Sequence, residues 1–242
     1  VINKIITKVS SAEETSLGYH GISPSIIKPV YAAALRLRFQ QPTVDVVVNQ
    51  TKTTLDHDIV SALISGALRL LPVDSTPQGV AARKERERVR AAEARRAEQN
   101  FFADFRRLGY DCISEDEQKR LSASTPDNCI SEDEQKRLSA STPDNGISKD
   151  QQKGPSASTP DILFKEPTII CGHLCWWLEY KNFFGFKANP FLAQKNKKQF
   201  RRYAEQIGPG VVVYKLGFET GHVNIEGVEI LREQEVRKNL AM

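Results

Sequence analysis

Thr159-Pro160-Asp161 stands directly before an apolar run, Ile162-Leu163-Phe164, and eighteen residues further on Glu179-Tyr180-Lys181 closes a second one. A carboxylate at the start of one strand and a Glu-x-Lys at the end of its partner have the chemistry of a metal-dependent nuclease. Alternate residues of a strand point to the same side, so Glu179 and Lys181 share a face and Tyr180 looks away. Asp161 opens the partner strand and can meet them across the pair. Carboxylate oxygens suit a hard divalent cation such as Mg²⁺ or Mn²⁺, whose other positions go to water and phosphate. The lysine can orient or activate the attacking water and offset phosphorane charge. On the same letters, Glu179 and Lys181 could be a surface pair on an edge strand. The elements around them decide.

Ile162–Ile170 and Leu174–Lys181 read as a hairpin turning near Cys171-Gly172. Leu174-Cys175-Trp176-Trp177-Leu178 is apolar on both faces, as a central strand covered on both sides requires, and this argues against the surface pair. Phe191–Ile207 reads as a helix stopped by Gly208-Pro209-Gly210, followed by buried strand Val211–Tyr214 and a last strand in Val223–Leu231. The helix carries Lys195, Lys197, Lys198, Arg201 and Arg202, cations suited to neutralising a nucleic-acid backbone, or to a solvated face. Gln199 and Tyr203 are four apart and therefore neighbours.

Upstream, Val80–Leu108 reads as one long helix, charged nearly all round at Arg83–Arg90 and apolar on one side at Phe101, Phe102, Phe105 and Leu108. Its arginines fit either a solvated face or a phosphate-tracking patch. Tyr110–Ile113 is short enough for a first strand. Ser25–Phe39 and Asp56–Leu71 read as helices, the second capped by Asp56. They form a separate helical N-terminal region, 1–79, in which a helix-turn-helix is one arrangement and plain packing helices the other.

Between them lies a repeat of period 17, CISEDEQKRLSASTPD from Cys112, the same from Cys129, and GISKDQQKGPSASTPD from Gly146. Each copy holds one Ile and at most one Leu, too little apolar surface to offset ordering entropy, so the triple repeat at 111–161 is expected as an inserted loop within an 80–242 domain. Asp127, Asp144 and Asp161 all follow Ser-Thr-Pro. Only Asp161 leads into an apolar strand, and a metal ligand needs a rigid support, so Asp161 is the choice.

The 242 residues are 40% apolar with a net charge of +4, mild enough that clustering rather than total charge must argue for nucleic acid. No apolar run is long enough to span a bilayer. Cys112 and Cys129 are copies of one position, Cys171 and Cys175 bracket a turn, and no second ligand pair makes a zinc site. Reduced thiols are expected, with a nuclear or cytoplasmic location. The chain begins at Val1, so an N-terminal targeting signal cannot be read. His173 sits at the hairpin turn, six residues from Glu179, and reads as structural; His20, His57 and His222 have no partners at informative spacing.

From Thr159 to Phe218 the chain resembles the TPD-motif domain family, within the PD-(D/E)xK nuclease superfamily, in Thr159-Pro160-Asp161, Gly172-His173, Trp177 through Lys181, Phe184-Gly185, Gln199-Phe200, Gly208-Pro209-Gly210 and Tyr214 through Gly217-Phe218. The resemblance implies an α/β fold with a restriction-endonuclease-like core, a mixed central sheet flanked by helices. It further implies a Mg²⁺-dependent phosphodiesterase acting on DNA or RNA, and a codanin-like protein as a partner. Asp161 and Glu179 would then ligate metal, Lys181 serve the water, and Glu98 and Gln199 support the site. Tyr203, carried over from the superfamily's Gln-x-x-x-Tyr helix, would sit near phosphate. Tyr180, Phe183 and the tripled segment depart from the family pattern. Two other classes stay open: a non-catalytic protein of this fold that binds a partner, and a nucleic-acid regulator built on the N-terminal helices.

Overall fold

The computed structural model describes residues 19–124, 159–188 and 190–240. Three short helices come first, α1 (Pro24–Leu37), α2 (Val44–Thr51) and α3 (His57–Leu68), then the long α4 (Pro77–Arg107). The α/β part follows as β1 (Cys112–Ser114), α5 (Glu115–Ser124), β2 (Ile162–Ile170), β3 (His173–Lys181), α6 (Pro190–Gln206), β4 (Gly210–Tyr214), β5 (Val228–Arg232) and α7 (Glu233–Leu240). The strands form one mixed sheet in the order β1-β2-β3-β4-β5. β1, β2 and β3 pair antiparallel, whereas β3, β4 and β5 run parallel.

The sheet is the middle of three layers. Leu178 and Tyr180 of β3 and Val211 and Val213 of β4 face Phe101 and Phe105 of α4 and Val236 of α7. The alternate residues, Trp177, Val212 and Tyr214, face Phe200 and Tyr203 of α6. Both faces of β3 and β4 are therefore covered, which is why these strands are apolar without alternation. Parallel pairing of β3 with β4 needs a crossover, and α6 supplies it. Trp177 lies opposite Gly210. A Cβ at Gly210 would come within 2.1 Å of the indole ring, so only glycine admits Trp177, whose Nε1 donates to the Gly208 carbonyl at 2.8 Å.

The β2–β3 hairpin turns through Cys171 and Gly172, both at positive φ, as a two-residue turn requires. Its register is irregular between Leu163 and Thr168, a stretch that includes Pro167, which has no amide hydrogen to donate. Among the described residues the cysteines Cys112, Cys171 and Cys175 are free thiols. No helix there is long and apolar enough to cross a membrane.

The N-terminal helices bury Ile27, Val30, Ile59, Val60, Leu63 and Ile64 in a core of their own, completed by Phe184 and Phe186 from the segment after β3. α3 contains no lysine or arginine, and its apolar face is spent on packing.

The described part of the first repeat copy, residues 112–124, is a strand and a helix where a loop was expected. Cys112–Ser114 pairs with Phe164–Ile162 as an edge strand, and Glu115–Ser124 is a helix. The helix starts in a reciprocal cap: the Ser114 amide donates to Glu117 Oε2 at 2.8 Å, and the Glu117 amide donates to Ser114 Oγ at 3.3 Å. The backbone and side-chain bonds from Ser114, together with Arg106, hold the Glu117 carboxyl down to about 2. Residues 125–158, which include Asp127 and Asp144, lie outside the described residues. Removing residues 128–144, one repeat unit, keeps the whole β1–α5 copy and Asp161. Halving a connection changes its closure cost by only about 0.6 kcal/mol, so the melting temperature should stay within about 3 °C of the parent. A larger drop would mean that the middle copy packs as structure.

Candidate active site

Strand pairing gathers the site. β2 and β3 meet with Ile162 opposite Leu178, which sets Asp161 beside the Glu179–Tyr180 peptide, and the Tyr180 amide donates to Asp161 Oδ2 at 2.7 Å. Glu179 and Lys181 share one face; Lys181 Nζ donates to Glu179 Oε1 at 2.5 Å. Tyr180 points to the opposite face, stacks on Phe101 with centroids 4.8 Å apart and donates its hydroxyl to Glu233 at 2.7 Å. Glu179 is buried, at 2% exposure, so the edge-strand surface pair is excluded. β3 is central, and this pair is enclosed.

α6 adds the third side. Gln199 Nε2 reaches Glu179 Oε1 at 2.9 Å and the Tyr203 hydroxyl at 2.8 Å, and that hydroxyl donates to the Thr159 carbonyl at 2.7 Å. The Gln-x-x-x-Tyr pair thus ties the Thr-Pro-Asp segment to Glu179. Tyr203 is fully buried and packs edge-on against Trp177. The resemblance implied a place near phosphate for Tyr203, whereas its hydroxyl is enclosed between Gln199 and the Thr159 carbonyl.

Glu98, one turn before Phe101 on α4, also arrives. One carboxylate oxygen from each of Glu98, Glu115 and Asp161 lies within 4.8 Å of the others. Nothing in the apolar pattern of the repeat marks Glu115; the Ser-x-x-Glu cap at Ser114 is the signal that places it. Burial pushes Asp161 well above the ordinary carboxylate range, and the neighbouring Glu179 pushes it further. Burial likewise raises Glu98, reinforced by Glu115 and Glu179. For Lys181 burial acts downward, but Glu179 and Asp161 outweigh it and carry its pKa up. Lys181 thus stands in the site as a hydrogen-bond donor to Glu179.

Beside these carboxylates opens a cleft of about 500 Å³ lined by Lys181, Lys195, Lys198, Gln199 and Arg202. Positions 195, 198, 199 and 202 fall on one helical face. Lys197 and Arg201 project elsewhere on α6 and do not line the cleft; Lys197 acts on His222, which burial pushes down to about 4. The five cations expected from sequence thus divide into three that converge on the cleft and two that do not. Arg202 Nε is buried without a hydrogen-bond partner. His173 stands at the other end of β3, its Nδ1 4.0 Å from Glu229, away from the carboxylates.

A family model described as a protein of unknown function with a TPD sequence motif matches residues 106–234, more than half of the chain. The chain belongs to this TPD family. The match runs from the end of α4 to the start of α7, so the whole sheet is TPD-family territory, and α1–α3 fall outside it. No curated protein matches the chain, and no solved structure does.

Proposed function

We propose that this TPD-family protein is a divalent-metal-dependent nuclease of the PD-(D/E)xK type, with a restriction-endonuclease-like core, that hydrolyses phosphodiester bonds of DNA or RNA. One observation carries the proposal. Glu179 is buried at the junction of an acidic cluster and a cationic cleft, and its Oε2 has no hydrogen-bond partner. A buried carboxylate oxygen left unpaired is costly, and a cation is the partner that relieves it.

The donor set fits Mg²⁺ or Mn²⁺: all the ligands are hard oxygens, and three carboxylates, Asp161, Glu179 and Glu98, face the ammonium of Lys181. Asp161 and Glu179 would hold the ion, with Glu98 beside them. A divalent ion bound there supplies a more acidic water and charge to set against the phosphate. Lys181, kept protonated, donates to the attacking water or a phosphate oxygen and offsets charge that develops in the transition state. Gln199 fixes the Glu179 carboxylate, and Tyr203 fixes Gln199. Lys195, Lys198 and Arg202 hold the backbone that leads into the site.

Binding tests the cleft apart from the chemistry. Each phosphate contact contributes roughly 0.7–0.9 to the slope of log affinity against log salt. Replacing Lys195, Lys198 and Arg202 together by alanine should flatten that slope by about 2–3, measured by fluorescence anisotropy with labelled oligonucleotides. Replacing Lys197 and Arg201 should change it much less. Equal effects of the two sets would remove the cleft from the proposal.

A further inference from the structure

The nuclease proposal uses Asp161, Glu179 and Glu98; a fourth carboxylate comes from an unexpected place. Glu115 is the first residue of α5, inside the first repeat copy. Its position is built rather than incidental. Ser114 pairs with Ile162, the Glu115 amide donates to the Asp161 carbonyl at 3.2 Å, and Gln118 Nε2 donates to the Pro160 carbonyl at 2.9 Å in a buried setting. The first turn of α5 is therefore stitched to the Thr-Pro-Asp segment, and it holds a Glu115 oxygen within 4.8 Å of both Glu98 and Asp161.

Three close carboxylates could be a solvated acidic patch. The independent observation is Glu179, which is 2% exposed, keeps Oε2 without a partner, and acts with its charge on both Asp161 and Glu98. Glu115 also pairs with Lys119, Nζ to Oε1 at 2.7 Å, across one exposed helical turn. Such a pair on a helix surface contributes little, and it leaves the second oxygen of Glu115 available.

We infer that Glu115 is a ligand of the divalent cation, so that the repeat-encoded strand and helix are part of the metal site. The inference rests on the nuclease proposal for the identity of the ion as a hard divalent cation. It gives the repeat a role: the unit that carries Cys-Ile-Ser-Glu supplies both a sheet edge and a metal ligand. In the third copy the matching position is Lys149, which cannot ligate.

Mn²⁺ binding, counted by electron paramagnetic resonance on the full chain without nucleic acid, tests this. Because residues 129–144 repeat 112–127 letter for letter, the variant should carry Glu115→Gln and Glu132→Gln together, so that the second copy cannot stand in. Affinity should fall about tenfold or more, as expected when one anionic ligand becomes neutral, with the metal-free melting temperature kept. Lys119→Ala, which breaks the ion pair but spares the carboxylate, should bind Mn²⁺ at least as tightly as wild type. Wild-type affinity in the double variant, with Asp161→Asn still losing the ion, would overturn the role of Glu115 and leave the nuclease proposal standing. An equal loss in Lys119→Ala would likewise overturn it, by showing that α5 geometry rather than the ligand matters. No Mn²⁺ binding by the wild type would overturn both.

Discussion

Lys181→Ala is expected to lower the turnover of nucleic-acid cleavage about 10²–10³-fold, the range seen when one positioned donor is removed from a charged transition state. Nucleic-acid affinity should change by no more than about threefold, because Lys181 is one cation beside Lys195, Lys198 and Arg202 and bulk affinity comes from the set. The separation matters because Lys181 is enclosed: its ammonium lies on Glu179 Oε1 and 5.8 Å from the centre of the Phe200 ring. Truncation leaves Glu179 with only the Gln199 bond, so the metal site should become more anionic and bind Mn²⁺ no more weakly. Single-turnover kinetics with prebound substrate would isolate the step. Turnover unchanged with affinity lost would recast Lys181 as a backbone contact only.

The second large effect concerns the metal-free protein. Burial first, then Glu179, raises the folded pKa of Asp161; burial, then Glu115 and Glu179, raises that of Glu98. Both therefore stand above their unfolded values of roughly 4. The folded state holds more protons, so their contribution to stability is complete below about pH 4 and is lost as pH rises through the folded pKa values. Lys181 is also raised, so its contribution persists across this window and is lost only above its folded pKa. In EDTA, then, Asp161→Asn should gain stability over wild type as pH rises through the folded pKa of Asp161, read as a higher melting temperature, and the difference should vanish toward pH 4. The asparagine oxygen can still accept the Tyr180 amide. Saturating Mn²⁺ should reverse the order, since a ligand at 100 times its dissociation constant adds about 2.7 kcal/mol to the form that binds it. A variant less stable than wild type in EDTA at pH 7.5 would mean that Asp161 is satisfied without metal.

The parts of this fold that were legible in sequence are those whose side chains report their surroundings locally. β3 and β4 are apolar on both faces because both are covered, and Asp161, Glu179 and Lys181 follow from the two-residue period of a paired hairpin. Glu98 and Gln199 could be named only through the family resemblance, since their places depend on how α4 and α6 pack. α2 was missed because its single buried residue, Val47, gives too weak a helical stripe, and α7 because its buried face is Val236 alone. The helix inside the first repeat copy is illegible for a related reason: α5 is polar nearly throughout and carries no hydrophobic period, whereas the strand expected at Tyr110–Ile113 has its counterpart in the three-residue edge strand β1. Their place is secured by hydrogen bonds instead, from Ser114, Glu115, Glu117 and Gln118. Tyr203 was placed on the correct helix face, but nothing in a four-residue spacing tells a buried hydroxyl from an exposed one.

The most direct measurement is cleavage itself. Purified protein is incubated with end-labelled single-stranded, duplex and flapped DNA and RNA, with Mg²⁺, with Mn²⁺ and with EDTA, in parallel with Asp161→Asn. The proposal predicts products from at least one substrate that require the metal and disappear in the variant while the variant still binds that substrate. No cleavage of any substrate with either metal, or products that are equal in wild type and Asp161→Asn, would contradict it. A protein of this fold that works through binding alone would then be the better account.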